Sequence, residues 1–413
     1  MNLAYSLFLY STWFFATYYV VLVLLIMFLG KDKLYECKRF GTKHRPSVSV
    51  IVPAYNEQGK IRHTIESLKE VTYDKVEFII LNDGSTDNTS KEIMASIKGD
   101  SRFRFIDRKE NKGKAASLNE GITRAKGAFI ATIDADSMIE PKILPKVLPY
   151  FEDESVGAVT VAVRVKNPKT MLHRIFELEY IIGLSLMLKV FSFFDGVFVT
   201  PGPFSIYRKS VLDEIGGFDI HNITEDMEIA YRIQKKRYRI ENCMDAKVYT
   251  IIPPTFSQVC IQRKRWYSGA LMTLAKHKDM VLNSKYGLFG YFVFFNYSLI
   301  FLGLFLFLYS LYLLLLNAVE NLLYLQYTGF NILEQLKYIE LDFLMLSRSS
   351  ILGSLALIFT LVVLIIGLYF TKTDWVRKKM GVIGYPFLFF FYQWFWIISI
   401  WGLIRGKNKI KWR

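Results

Sequence analysis

Four long stretches of the chain contain no Asp, Glu, Lys, Arg or His: residues 1–30, 287–317, 351–371 and 381–404. A helix of roughly 20 apolar residues crosses the hydrocarbon core of a bilayer, and each stretch is long enough. The chain is therefore expected to hold a polar domain between membrane segments. Residues 1–30 read as a transmembrane anchor, 31–286 as a cytoplasmic domain, and 287–413 as a C-terminal transmembrane region with spans at about 287–317, 351–371 and 381–404. The first stretch differs from a secretory signal in having no basic start, too long an apolar run and no small-residue cleavage site, so it reads as uncleaved.

Hydrophobic residues make up 52% of the 413 and charged ones 22%, which fits apolar content segregated into those segments. A net charge of +15 in a soluble chain points to nucleic acid. Here the cations cluster beside the membrane segments, as with Lys31, Lys33, Lys38, Arg39, Lys43 and Arg45. By the positive-inside bias that cluster places the following domain in the cytoplasm, with membrane lipid and not nucleic acid as the partner. Cys37, Cys243 and Cys260 lack metal-ligand spacing, and the five histidines are scattered, so no zinc site is expected.

Within the polar region, strand and helix patterns alternate. Apolar β-branched runs at 48–53, 76–81, 103–106, 128–133 and 157–163 read as strands. Between them, 57–71, a stretch through Ile93 and Ile97, and 113–125 read as helices. Such alternation predicts an α/β fold built on a mostly parallel, doubly wound sheet. Residues 172–194 carry a long apolar face and read as an amphipathic helix, at the membrane interface or packed on the domain; 255–274 is a second of that kind.

In open α/β sheets the ligand crevice lies at the carboxyl ends of the strands. The run ending in Asp134-Ala135-Asp136 puts two carboxylates there, the number that holds Mg²⁺ on nucleotide phosphates; the alternative is a helix capped by Asp136 or Ser137. Asp83-Gly84-Ser85 sits at another strand end, as a base or ribose contact or as an Asx-turn. Asn111-Lys112-Gly113-Lys114 opens a helix, a setting that favours phosphate, or is a solvated basic turn. Thr224-Glu225-Asp226 reads as a helix cap or as the site of a general base. Gln262-Arg263-Lys264-Arg265-Trp266 suits a diphosphate and a stacked sugar, or an interfacial helix among lipid headgroups.

In order, Pro53-Ala54-Tyr55-Asn56-Glu57, Asn82-Asp83-Gly84-Ser85, Asp134-Ala135-Asp136, Gly217-Phe218-Asp219 with Thr224-Glu225-Asp226, and Gln262 to Trp266, followed by membrane spans, resemble the inverting family 2 glycosyltransferases. The likeness is to the processive membrane synthases of cellulose, chitin, hyaluronan and poly-N-acetylglucosamine, and it spans nearly the whole chain.

The resemblance implies a GT-A-type domain inserted between transmembrane helices. It implies a nucleotide-sugar donor bound by Tyr55, Glu57, Asp83, Lys114 and Asp134, with Mg²⁺ or Mn²⁺ on Asp136. Asp226 would be the base and Glu225 its support, while Gln262, Arg265 and Trp266 hold the diphosphate and acceptor end, near a loop at Gly202-Pro203. The implied product is a β-linked polysaccharide exported through a multi-pass protein of the cell membrane, with an accessory membrane subunit left open. Asn82 departs from the family, many of whose members have Asp there. Alternatives are single addition of a sugar to a lipid acceptor, or an inactive sugar-nucleotide-binding scaffold.

Four crossings that start outside place the C-terminus outside, yet Arg405, Lys407, Lys409, Lys411 and Arg413 favour the inside, as do Lys372, Arg377, Lys378 and Lys379. Pro386 is where a re-entrant final segment would turn.

Overall fold

The computed structural model describes residues 3–35, 45–327, 348–374, 376 and 378–405. Cys37, Lys38, Arg39, Lys43, Arg377 and the tail cations Lys407, Lys409, Lys411 and Arg413 lie outside the described residues. Helix α1 covers Leu3–Leu29.

The first half of the domain alternates as its sequence predicts: β1 (Val48–Ala54), α2 (Ile61–Lys69), β2 (Val76–Asp83), α3 (Thr89–Ile97), β3 (Phe103–Arg108), α4 (Lys114–Arg124) and β4 (Phe129–Thr132). All seven residues of β1 are buried, the mark of a strand covered on both faces. Successive side chains of a strand point to opposite faces. Val50 and Val52 accordingly pack with Ile61, Ile65 and Leu68 of α2, while Ile51 packs with Leu118 and Ile122 of α4.

The second half comprises β5 (Met138–Ile139), α5 (Ile143–Val147), β6 (Val156–Val165), α6 (Met171–Ile181), a π-helical turn (Ile182–Met187), α7 (Leu188–Ser192), β7 (Ser205–Arg208), α8 (Lys209–Ile215), α9 (Glu225–Lys235), β8 (Arg239–Thr250) and α10 (Phe256–Lys276). One eight-stranded sheet results, in the order β3-β2-β1-β4-β7-β6-β8-β5. Four of its seven pairings are parallel; β7 runs against both β4 and β6, and β5 against β8. The α/β sheet is thus as expected, with one reversed strand at its centre.

Among the described residues two helices are long and apolar enough to cross a membrane: Ser6–Leu29 within α1, and Leu288–Glu320 within α11 (Leu288–Tyr327). Arg348–Phe370 is a further apolar helix. The last segment is a bent pair, Lys379–Phe387 and Phe390–Ile404, at 47° to each other, with Pro386 in the last turn of the first. This pair rests on the domain. Gly381 and Gly384 abut Arg174 and Ile175 of α6, and Lys378 Nζ lies 2.6 Å from Glu177 Oε1.

Candidate functional site

A cavity of about 490 Å³ opens at the carboxyl ends of β1 and β4. Glu57, Lys114, Asp134 and Asp136 from the first half of the domain line one side. Facing them are Gly202 and Pro203 before β7, Glu225 and Asp226 at the start of α9, and Gln262, Arg265 and Trp266 on α10. Asn296, Tyr297 and Ile300 of α11, with Trp396 of the last apolar helix, complete the wall.

Strand register explains the closest approach. Thr132 of β4 is paired antiparallel with Ser205 of β7, so the residues just after β4 oppose those just before β7. A Cβ at Gly202 would stand 2.7 Å from Asp134 Oδ2 and 2.8 Å from Lys114 Nζ, so only glycine fits there without displacing them. A second glycine, Gly269 on α10, makes room for the Thr224 side chain, which brings the start of α9 against α10.

Lys114 links the two halves. Its Nζ lies 2.7 Å from Asp134 Oδ1 and 2.7 Å from Glu225 Oε1. Burial disfavours the ammonium, but Asp134 and Glu225 outweigh it and hold its pKa above the ordinary lysine value. Burial also opposes ionisation of Glu225, yet Lys114 and then Arg265 hold that carboxyl below its usual range. Asp226 goes the other way. Loss of water, then the charge of Glu225, push it up to about 6. Adjacent carboxyls driven apart in this way give one fixed anion and one proton acceptor near neutrality.

The two helix-cap readings fare differently. After Asp136 the chain enters β5, and the next helix starts only at Ile143. Thr224 does stand at the N-cap position of α9, with Glu225 and Asp226 in the first turn, but its hydroxyl bonds Asn222 Oδ1 at 3.2 Å and not the helix amides.

The acids fit a divalent cation. Asp136 is pushed up to about 7, first by loss of water, then by Asp134 and Glu57, and a bound cation would relieve that repulsion. Among the described residues no cluster of three or more His, Cys, Asp or Glu side chains is arranged to hold an ion. A cation that takes most of its ligands from substrate phosphate and water needs only one or two carboxylates, and Asp136 beside Asp134 would supply them. Such an ion would stabilise negative charge on a leaving phosphate.

Residues 49–216 match the family profile described as Glycosyl transferase family 2. Over those residues the chain is similar to the family 2 glycosyltransferases. It is 28% identical over 282 residues to the poly-β-1,6-N-acetyl-D-glucosamine synthase of Staphylococcus aureus (strain MSSA476), covering 66% of this chain and 68% of that one. To the synthase of the same name from Staphylococcus epidermidis it is 28% identical over 275 residues, 66% of each chain. Among solved structures, the mannosyltransferase PcManGT from Pyrobaculum calidifontis, in complex with GDP-Man and Mn²⁺, superimposes with a TM-score of 0.49 and 21% identity over 65% of this chain and 75% of that one.

Two expected site residues of the glycosyltransferase domain stand outside the cavity wall. Asp83 is fully buried; its carboxylate pairs with Arg108 Nη1 at 2.9 Å and accepts hydrogen bonds from the Lys112 and Gly113 amides at 3.0 and 2.8 Å. It thereby fixes the loop that delivers Lys114. Tyr55 follows β1 and is half-buried. Gly217-Phe218-Asp219 is a brace: Asn119 Nδ2 donates to Phe218 O at 2.8 Å, and Phe218 N donates to Asn119 Oδ1 at 2.7 Å. Conversely, Glu179, Tyr180 and Arg263 line the cavity without having been assigned a role from sequence. Only Arg263 carried a signal, its place between Gln262 and Arg265.

Proposed function

We propose that this chain transfers a sugar from a nucleoside-diphosphate donor, of the UDP-N-acetylglucosamine type, to the end of a growing β-linked polysaccharide, with inversion and in repeated cycles, and passes the product across the cell membrane. The observation that carries this reading is that Asp226, Asp136 and Trp266 share one cavity, which continues to Asn296, Tyr297 and Trp396 on the apolar helices. Likeness to the two poly-β-1,6-N-acetyl-D-glucosamine synthases supports synthesis of polysaccharide from a nucleotide sugar.

In this reading Asp226 takes the proton of the acceptor hydroxyl as that oxygen attacks the anomeric carbon, and the bond to the nucleoside diphosphate breaks on the opposite face. Lys114 and Arg265 stabilise charge gathering on the departing diphosphate, and Glu225 keeps Lys114 in place. Glu57, Asp134 and Lys114 hold the donor, with Asp136 on the cation; Asp83 acts through its loop, and Tyr55 borders the nucleotide. Gln262 and Trp266 hold the acceptor end. The domain lies in the cytoplasm, where donor is made, and the apolar helices give the hydrophilic product a way out.

Purified protein supplied in turn with UDP-N-acetylglucosamine, UDP-glucose, UDP-glucuronate and GDP-mannose tests the donor. UDP-N-acetylglucosamine is expected to be turned over fastest, and preference for another donor would overturn that part of the reading.

A further inference from the structure

Glu179 lies on α6, outside every motif named above, and its carboxylate meets α10. Arg263 Nη1 donates to Glu179 Oε1 at 2.8 Å and Nη2 donates to Oε2 at 2.6 Å. The paired side chains are only 4% and 13% exposed, so this two-pronged ion pair is shielded from competing water. A third element joins it. The Tyr392 hydroxyl, from the helix Leu388–Ile404, donates to Glu179 Oε1 at 2.6 Å.

The guanidinium so held lies 4.3 Å from the centre of the Trp266 ring and 4.9 Å from that of Phe176. Tyr180, next to Glu179 on α6, stacks with Trp266 at 6.4 Å and 29°. An arginine on a helix has many rotamers, and a planar fork onto a carboxylate selects one of them. Once selected, the flat cation restrains the adjoining ring, since it is attracted to the ring's face. Arg263 Nε has no hydrogen-bond partner among the described residues, so the carboxylate fork is what orients this group.

We propose that Glu179 and Tyr392 are positioning residues for the acceptor: through Arg263 they set the plane of Trp266 as a stacking surface for the sugar chain, making the C-terminal apolar helix part of the acceptor site. This rests on the polymerising reading, in which Trp266 meets the acceptor. The donor side has its own supports in Lys114, Asp134 and Asp83, none of which touches this network. Damage to Glu179 is therefore expected to divide acceptor use from donor use.

The test uses the full-length protein in lipid nanodiscs, an oligosaccharide of the product as acceptor, and three readouts: Kd for nucleotide donor, donor hydrolysis without acceptor, and KM for acceptor. Glu179→Gln and Arg263→Lys are expected to raise acceptor KM about ten- to hundredfold, the scale of a misplaced binding surface, while donor Kd and hydrolysis stay within about twofold. Tyr392→Phe should change the same quantity less. Added to Glu179→Gln it should change little more, because both act through Arg263. An unaltered acceptor KM in Glu179→Gln and Arg263→Lys overturns the proposal, as does parallel loss of donor and acceptor binding. If Glu179→Gln does not fold, Tyr392→Phe, which deletes one hydroxyl, decides by the same division. If wild type adds only one sugar, the polymerising reading fails, and the acceptor KM of these variants still judges the network.

Discussion

The Lys114 ammonium stands 2.7 Å from Glu225 Oε1, joining the start of α4 in the first half of the domain to the start of α9 in the second. The pair sets the electrostatics of the neighbouring residue. Burial and then Glu225 raise the Asp226 pKa and Lys114 lowers it, so this carboxyl is tuned by an ion pair of which it is not a member.

Asp226→Asn removes the proton acceptor and keeps the shape of the side chain. Polymer synthesis is expected to fall by about 10²–10⁴-fold, the worth of a general base, with donor Kd little changed. Synthesis and titration calorimetry on the same preparation check both halves of the statement.

The pH dependence has a definite sign. Asp226 is pushed up to about 6 in the free enzyme; below that pH it holds a proton and cannot accept another, and above it the carboxylate is available. The kcat/KM value should therefore rise with pH through about 6. Lys114→Met deletes a charge that lowers this pKa, so the rise should move to higher pH as well as to a lower plateau.

Much of this was legible in sequence, for physical reasons that also mark where legibility ends. β1 and β4 are buried on both faces and so appear as unbroken apolar runs, and the acids after β4 stand out against them. β8 hides its nature because Glu241 is compensated by Arg239 at 2.7 Å, a pairing that periodicity does not reveal. The helix that was the alternative reading after Asp136 gives way to β5, whose partners Val248 and Tyr249 lie far along the chain. Glu179 carried no signal for a similar reason: its partners Arg263 and Tyr392 are brought to it only by the fold.

Chelation and Asp136→Asn address the cation. Donor binding to wild type should strengthen when Mg²⁺ or Mn²⁺ is added, and the variant should lose that increment while keeping the metal-independent part. An equal increment in the variant would remove Asp136 from the cation site.

Gly202→Ala brings a methyl group to 2.7 Å from Asp134 Oδ2 and 2.8 Å from Lys114 Nζ. Turnover should drop by about tenfold or more from the displaced groups. Gly202 lies in a loop before β7 and not within a core element, so Tm is expected to move little.

The terminal helix runs antiparallel to α11: Trp396 lies 6.4 Å from Tyr297, and Phe390 lies 6.5 Å from Phe307. Since α11 starts at the domain, the terminal helix heads back toward it. Lys378, which pairs with Glu177 of α6, and Arg405, at the end of the terminal helix, are then expected on the same side of the membrane. A cysteine at position 405 in a cysteine-free background should react with an impermeant label only from the side that bears the domain; labelling from the opposite side would refute the topology.

The size of the product tests the central claim most directly. Full-length protein given radiolabelled UDP-N-acetylglucosamine and a divalent cation is expected to yield long polysaccharide at low ratios of donor to enzyme, with few short intermediates. A product carrying one added sugar, with no growth as donor is increased, would contradict it.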